Sequence, residues 1–391
     1  MSPPVGMLML GRGRNRLCPP AERGSLMTTP TPIPSDQSRR RTALVVGASG
    51  IAGSAIVEQL SRETVWEVLA LSRTPVPGST TRHISADLGS PQSLTDALAG
   101  ERPTHVFFTA WSRRDTEQEN IEVNAGMLRN LLAALDHAPL EHVALMTGLK
   151  HYLGPFESYG QGEMPDTPFL EKEPRLPVAN FYYAQEDELF AAARRQGFRW
   201  SVHRAHTVIG HAVGNAMNMG LTLAAQATIC RETGRPFVFP GSEALWNGLS
   251  DMTDASLLAE QMVWAAVTEG AGDEAYNAVN GDVFRWRRMW PELAEWFGLE
   301  WEGFDGAPQP LEEQMRGMEE VWVRIAQEHG LVESDLSRVA SWWHTDADLG
   351  LPFEVFADMS KARLAGFSAH HRTRDSFLAQ FERYRAAHVI P

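Results

Sequence analysis

The sequence predicts an α/β fold in which a doubly wound parallel sheet is followed by a smaller, mainly helical C-terminal region. Three observations carry this expectation. Short apolar runs alternate with stretches of helical apolar spacing between residues 41 and 204, a glycine-rich turn joins the first run to the first helix, and the pattern becomes mostly helical beyond Asn218. The 391 residues are 43% hydrophobic, enough for one large core or two adjoining ones, which excludes a disordered or fibrous chain.

Residues 1–40 stand apart from this pattern. They are rich in Pro, Gly, Ser and Arg and set six arginines against Glu22 and Asp36, so this basic tail is expected to be disordered. Its apolar stretch, residues 7–10, is too short for a signal-peptide core, and Arg12, Arg14 and Arg16 lie directly after it. A targeting segment and a true start at Met27 both stay open. From Arg41 onward, residues 42–46 read as a strand ending at Gly47, residues 51–60 as a helix and residues 68–71 as a second strand, a β-α-β unit. Strands at 105–109, 142–146 and 200–204 come next, separated by helices near 90–98, 119–135 and 185–195. Such alternation gives parallel pairing, because each crossover returns the chain to the same end of the sheet. Helices are then expected at 219–231, 254–267, 286–296 and 311–329. The domain boundaries read as 41–215 for the sheet domain and 216–391 for a helical cap, some segments of which return to the sheet.

Composition narrows the function classes. A net charge of −14 offers no basic footprint for nucleic acid, and no run approaches the ~18 apolar residues of a membrane span. Two cysteines, Cys18 and Cys230, cannot make a disulfide framework, which favours a cytoplasmic protein. A homodimer is an open option. Nine of the twelve tryptophans lie between Trp246 and Trp343, in the expected cap, where large rings fill gaps between helices and can shape an apolar cavity.

The turn after the first strand reads Gly47-Ala48-Ser49-Gly50-Ile51-Ala52-Gly53. In a Rossmann-type domain the first glycine permits a tight turn, the second lets backbone approach a pyrophosphate, and the third packs helix against strand, while the helix N-terminus offers free N–H groups to phosphate. A dinucleotide is the expected ligand, held by Gly47, Ser49, Gly50, Ile51 and Gly53. The second strand runs into Ser72-Arg73, where a carboxylate would have met the ribose 2′-hydroxyl of NAD; a guanidinium there suits the extra phosphate of NADP(H). Asp87 and Leu88 are placed at the adenine edge, and Thr109, Ala110 and Trp111 along the far phosphate and ribose.

A Tyr-x-x-x-Lys pair, which many reductases built on a Rossmann-type domain carry and which would set phenol and ammonium one helical turn apart, is absent from the expected region. Four residues after Tyr182 stands Glu186, and four after Tyr183 stands Asp187. A lysine does occur directly after the strand at 142–146, in Thr147-Gly148-Leu149-Lys150-His151-Tyr152. That block, continuing to Gly160, together with Asn180-Phe-Tyr-Tyr-Ala-Gln-Glu-Asp187, Trp200-Ser-Val-His-Arg204, Asn280-Gly-Asp-Val-Phe-Arg-Trp286 and Ser341-Trp-Trp343, resembles the progesterone 5β-reductase/iridoid synthase-like family of atypical short-chain dehydrogenases/reductases. The likeness runs from about residue 42 to the C-terminus.

That resemblance implies an NADPH-dependent reductase of activated C=C bonds, acting on a small enone or enal. It implies Tyr182 as the catalytic tyrosine, stabilising or protonating the enolate oxygen, with Lys150 assisting, and it sets Thr147, Lys150, Tyr182, Ala205 and Val208 against the cofactor. One departure concerns the loop flanking the nicotinamide: Ala205-His206 follows His-Arg where the family usually has Pro, and residues 210–215 replace a common Ser-Pro pair. Tyr152, Phe156, Tyr159, Met219 and Trp343 are the candidate substrate-wall residues, and Tyr183 reads as structural. Histidines 203, 206 and 211 have no Cys or carboxylate at ligand spacing, and strand alternation separates the first two, so no metal is expected. A carbonyl reductase on the same scaffold and a non-catalytic NADP(H)-sensing protein remain as alternatives; a sugar epimerase fits less well without Tyr-x-x-x-Lys.

Overall fold

The structure is a computed structural model that describes residues 40–75, 78–155, 166–215 and 217–391, all within one compact unit. The expected tail, and the candidate residues Phe156 and Tyr159, lie outside the described residues. In chain order come β1 (Arg41–Val46), α1 (Ile51–Ser61), β2 (Trp66–Leu71), β3 (Arg82–Ile84), α2 (Pro91–Leu98), β4 (His105–Phe108), α3 (Glu117–Ala134), β5 (His142–Gly148), the single turn α4 (Lys150–Leu153), α5 (Phe181–Gln196) and β6 (Arg199–Ala205). Local chemistry sets several of these ends. Ser90 caps α2 ahead of a proline in its first turn, Thr116 and Glu119 form a reciprocal capping box on α3, and Gly197 closes α5 at φ 82°.

The remaining elements are β7 (Val208–Ile209), α6 (Met219–Thr233), β8 (Phe237–Val238), α7 (Glu243–Asn247), β9 (Thr253–Asp254), α8 (Ala255–Val267), β10 (Glu274–Ala278), α9 (Trp286–Phe297), β11 (Trp301–Glu302), α10 (Leu311–Gln314), α11 (Glu319–His329), α12 (Leu336–Val339), α13 (Trp342–Leu349), α14 (Ser360–Leu364) and α15 (Thr373–Ala386). The single helix expected over 311–329 is two helices. Gly317 between them takes φ 76°, a left-handed conformation that an α-helix cannot pass through.

Seven strands form one parallel sheet in the order β10-β6-β5-β4-β1-β2-β3. The order reverses beside β1, which has β2 on one side and β4 on the other, and this leaves a crevice at the carboxyl ends of β1 and β4. Residue alternation divides the two faces. Leu44, Val46, Leu69, Leu71, Val106 and Phe108 pack with α2, α3 and α5 on one side, whereas Ala43, Val45, Val68, Ala70 and Phe107 pack with α1 and α8 on the other. Residues 255–278 therefore belong to the sheet layer, with α8 against α1 and β10 pairing β6 at the edge. A separate core gathers α6, α9 and α15, and α6 is buried along nearly its whole length. Trp286, Trp290 and Trp322 are fully enclosed there, and Phe237 stacks on Trp290 with centroids 4.0 Å apart.

Candidate active site

The glycine turn has the shape its sequence requires. Gly47 adopts φ 82°, and a Cβ on it would stand 3.0 Å from both the Ala110 nitrogen and Thr109 Oγ1. A Cβ on Gly53 would collide with the Gly47 carbonyl, so helix and turn can approach this closely only without a side chain. Gly50 is the N-cap of α1, makes no side-chain cap, and no acidic residue occupies the first turn. The helix therefore presents its N–H groups and the positive end of its dipole to a cleft that Gly50, Ile51, Ala52 and Gly53 line. These residues fit a pyrophosphate.

The cleft, about 170 Å³, is walled by the end of β5 and the turn after it (Met146, Thr147, Gly148, Leu149, Lys150), by Phe181 and Tyr182 opening α5, by residues 205–208, and by Thr109 and Trp111. Asn180 ties two of these walls together. Its Oδ1 accepts the Tyr182 N–H at 2.9 Å while its Nδ2 donates to the Lys150 carbonyl at 2.7 Å, so one side chain caps α5 and anchors α4. The Phe181 N–H donates to Glu117 Oε1 at 2.7 Å, which fixes α5 to the start of α3. Lys150 is buried, with its ammonium 5.2 Å from the Phe181 ring centroid, and the Trp111 ring stacks on Phe181 with centroids 5.8 Å apart. The Tyr182 hydroxyl lies over the end of β5: a Cβ on Gly148 would be 3.2 Å from that oxygen and 3.0 Å from the Ala205 carbonyl. Burial, reinforced by the Glu117 carboxylate, pushes the Tyr182 hydroxyl above its ordinary pKa. Both influences disfavour the phenolate, so the phenol is held in its protonated form.

The other sequence candidates spread over the cleft wall, the surface and the core. Thr109 Oγ1 donates to the Val46 carbonyl at 2.9 Å, with half-buried Ala110 beside it, and Ala205 and Val208 are on the cleft wall. Ser49 is half-buried in the glycine turn. Ser72 is buried at the tip of β2, its carbonyl paired with His83 Nε2 at 2.9 Å, and Arg73 next to it is exposed. Asp87 is exposed, accepting the Gly89 N–H at 2.9 Å, and Leu88 receives Asn130 Nδ2 on its carbonyl. Of the substrate candidates, Tyr152 is buried outside the cleft lining, where its hydroxyl donates to Asn277 Oδ1 at 2.6 Å and accepts from Arg204, and its ring stacks on Phe169. Met219 is fully enclosed in the second core. Trp343 is half-buried with the Arg113 guanidinium 4.0 Å above its ring. Tyr183 donates to the His151 carbonyl at 2.6 Å.

The three histidines go to three places. His203 is in the core between Gln261 and Ser201, His211 stacks on Tyr384, and His206 lines the cleft with Nδ1 2.8 Å from Asp251 Oδ1. In the sequence His206 stands out as a departure from a family pattern and as one of three histidines without a partner at ligand spacing, and neither points to Asp251. Sequence reasoning misses Thr207, whose hydroxyl donates to Asp348 Oδ2 at 2.8 Å, and His344, Asn215, Met217 and Leu351, which complete the cleft. The one available signal is position, since residues just beyond a β-strand's carboxyl end face the ligand in such sheets.

A family model described as a PRISE-like Rossmann-fold domain matches residues 96–391. The chain is 39% identical over 368 residues to a 3-oxo-Δ4,5-steroid 5β-reductase of Arabidopsis thaliana, covering 91% of this chain and 94% of that one. The chain belongs to the PRISE-like Rossmann-fold family. A second relative of this PRISE-like chain, an (S)-8-oxocitronellyl enol synthase of Camptotheca acuminata, is 38% identical over 364 residues, covering 89% and 93% of the two chains. The PRISE-like chain is accordingly an oxidoreductase. Its fold is also that of a UDP-glucose 4-epimerase of Thermotoga maritima, with a TM-score of 0.63 at 15% identity over 88% of this chain and 99% of that one. No helix among the described residues is long and apolar enough to cross a membrane.

Proposed function

We propose that the protein is an NADPH-dependent reductase of carbon–carbon double bonds conjugated to a carbonyl. The observation that carries this reading is that the Tyr182 hydroxyl and Lys150 line the same cleft as the uncapped N-terminus of α1. Relatives named as a 3-oxo-Δ4,5-steroid 5β-reductase and as an enol synthase support it. When bound, a reduced nicotinamide supplies the hydride.

The chain's own groups do the rest. The N–H groups of residues 50–53 hold the pyrophosphate, the exposed Arg73 takes the 2′-phosphate, and Thr109 to Trp111 run along the ribose. Tyr182 donates a hydrogen bond to the substrate carbonyl oxygen, where negative charge gathers as the double bond is reduced; a donor aimed at that oxygen acts most strongly on the enolate-like transition state. A raised pKa serves this role, because the hydroxyl remains a donor at neutral pH. Lys150 anchors the turn against Asn180 and places a positive charge on the same wall.

The test is NADPH consumption with a panel of cyclic and acyclic enones, and then product analysis. A saturated ketone or aldehyde supports the reading, whereas an allylic alcohol would mark a carbonyl reductase. Tight NADPH binding with no consumption on any enone would mark a sensor.

A further inference from the structure

His206 on the cleft lining forms, with the buried Asp251 behind it, a titratable pair to which enone reduction by Tyr182 and Lys150 gives no task. His206 follows β6 directly, and its N–H donates to Thr253 Oγ1 at 2.9 Å, which fixes the backbone at this point. Its Nδ1 is 2.8 Å from Asp251 Oδ1, and Asp251 is fully buried with its other oxygen accepting the Ala357 N–H at 2.7 Å. A carboxylate held so against one ring nitrogen accepts a hydrogen bond from Nδ1–H and keeps that proton on the ring, leaving Nε2 as the atom that gains or gives a proton. Burial pushes the Asp251 carboxyl above its usual range, and the hydrogen bond from His206 is the largest influence opposing it. His206 is adjacent to Ala205, whose carbonyl lies beside Gly148 together with the Tyr182 hydroxyl, and His206 and Tyr182 both line the cleft.

Reducing an enone needs two groups with different targets. Tyr182 addresses the oxygen, but an enolate becomes a saturated carbonyl compound only when its α-carbon also receives a proton. We propose that His206, oriented by Asp251, is the acid that protonates the substrate's α-carbon, so that the enzyme releases the saturated carbonyl compound and not an enol. This rests on the enone-reductase reading. In the step, the carbon–carbon π bond breaks, the β-carbon gains its new C–H bond from the hydride of reduced nicotinamide, and the enolate's electron pair takes the proton from His206 Nε2. Neutral imidazole remains and is reprotonated by water; Asp251 stays a carboxylate throughout and is a positioning residue. The titratable and charged groups around His206 are Asp251, Asp348 reaching Thr207 from α13, His344 beside Asp348, Lys150 on the cleft lining, and Asp282 acting on Asp251.

The test uses the full chain with NADPH and an α-methyl cyclic enone, reading the configuration at the α-carbon before buffer can exchange it. The wild-type enzyme is expected to give one configuration. His206→Gln keeps an amide donor for Asp251 and has no transferable proton, so NADPH consumption continues while the α-carbon emerges as a near-equal mixture. Asp251→Asn, as an independent second variant, is expected to lower the selectivity in the same direction. A single configuration from His206→Gln, or from Asp251→Asn should His206→Gln fail to fold, would overturn the assignment while leaving the enone reading intact. A mixed α-carbon from the wild-type enzyme would do the same, as would a His206→Gln enzyme that binds NADPH and consumes none. Absence of NADPH consumption by the wild-type enzyme on every enone would sink the parent reading, and this step with it, in the first arm.

Discussion

Replacing Gly148 by alanine tests the place of the Tyr182 hydroxyl without touching the hydroxyl itself. The added Cβ would stand 3.2 Å from that oxygen and 3.0 Å from the Ala205 carbonyl, closer than ordinary contact in both directions. Gly148 does not occupy a left-handed conformation, so no backbone strain is added, and both oxygens must give by a few tenths of an ångström. Gain from the less flexible unfolded chain and loss from crowding leave stability within about 1 kcal/mol of the parent. A 1 Å misplacement of a reacting group costs about a hundredfold in rate, so a shift of a few tenths predicts a fall in kcat of about three- to tenfold. NADPH affinity should hold, because residues 50–53, proposed above to hold the pyrophosphate, are not among the atoms that the new Cβ would meet. Enone turnover, NADPH fluorescence titration and a thermal midpoint measure the three quantities separately. An unchanged kcat in a folded Gly148→Ala protein would refute the placement of the phenol as the group aimed at the carbonyl.

Further expectations arise from the same site and from the buried ionisable groups. Tyr182→Phe should lower kcat by about two to three powers of ten with NADPH affinity retained, and full activity would remove Tyr182 from the reaction. Arg73→Ala should weaken NADPH by about tenfold, as loss of a charge-assisted hydrogen bond at an exposed site, and leave NADH nearly unaffected; equal effects on both would remove Arg73 from the 2′-phosphate. Burial holds His151 and His203 down to about 4, so the unfolded chain takes up protons first as pH falls below about 6.5, and stability declines from there toward pH 4. Tyr152, Tyr276 and Tyr384 are pushed up to about 12 by burial, so the unfolded chain loses protons first above about 10 and stability declines again. The thermal midpoint should thus form a plateau between these limits and fall by several degrees on each side; a midpoint that rises between pH 7 and pH 5 would contradict the histidine argument.

The features legible in the sequence are local ones. The strand, glycine turn and helix at residues 41–61 are contiguous, and Gly53 answers a steric demand made by Gly47 within the same turn. Lys150 and Tyr182 stand out through blocks of sequence, each of which sits at a strand end or a helix start. The features that escape depend on distance along the chain. His206 meets Asp251 from 45 residues away and Thr207 meets Asp348 from 141, and no periodicity links such positions. Tyr152 shows the opposite difficulty. Its neighbour Lys150 lines the cleft, but the turn of α4 carries Tyr152 toward Asn277 and Arg204, a direction fixed by partners far away in sequence. The helical period through residues 311–329 is similarly sound on either side of Gly317 and silent about the break.

The Asn180 amide has a consequence for how this protein can change. It clasps the Lys150 carbonyl and the Tyr182 N–H, and the Tyr183 hydroxyl adds a second clasp at the His151 carbonyl, so the chain leaves and re-enters the site through fixed gates. The separation of the lysine and the tyrosine is thus held by direct contacts between α4 and α5, and does not depend on the length of chain that joins them. Replacing Asn180 would loosen both walls in one step, which makes this amide the position at which the two groups are most easily driven apart.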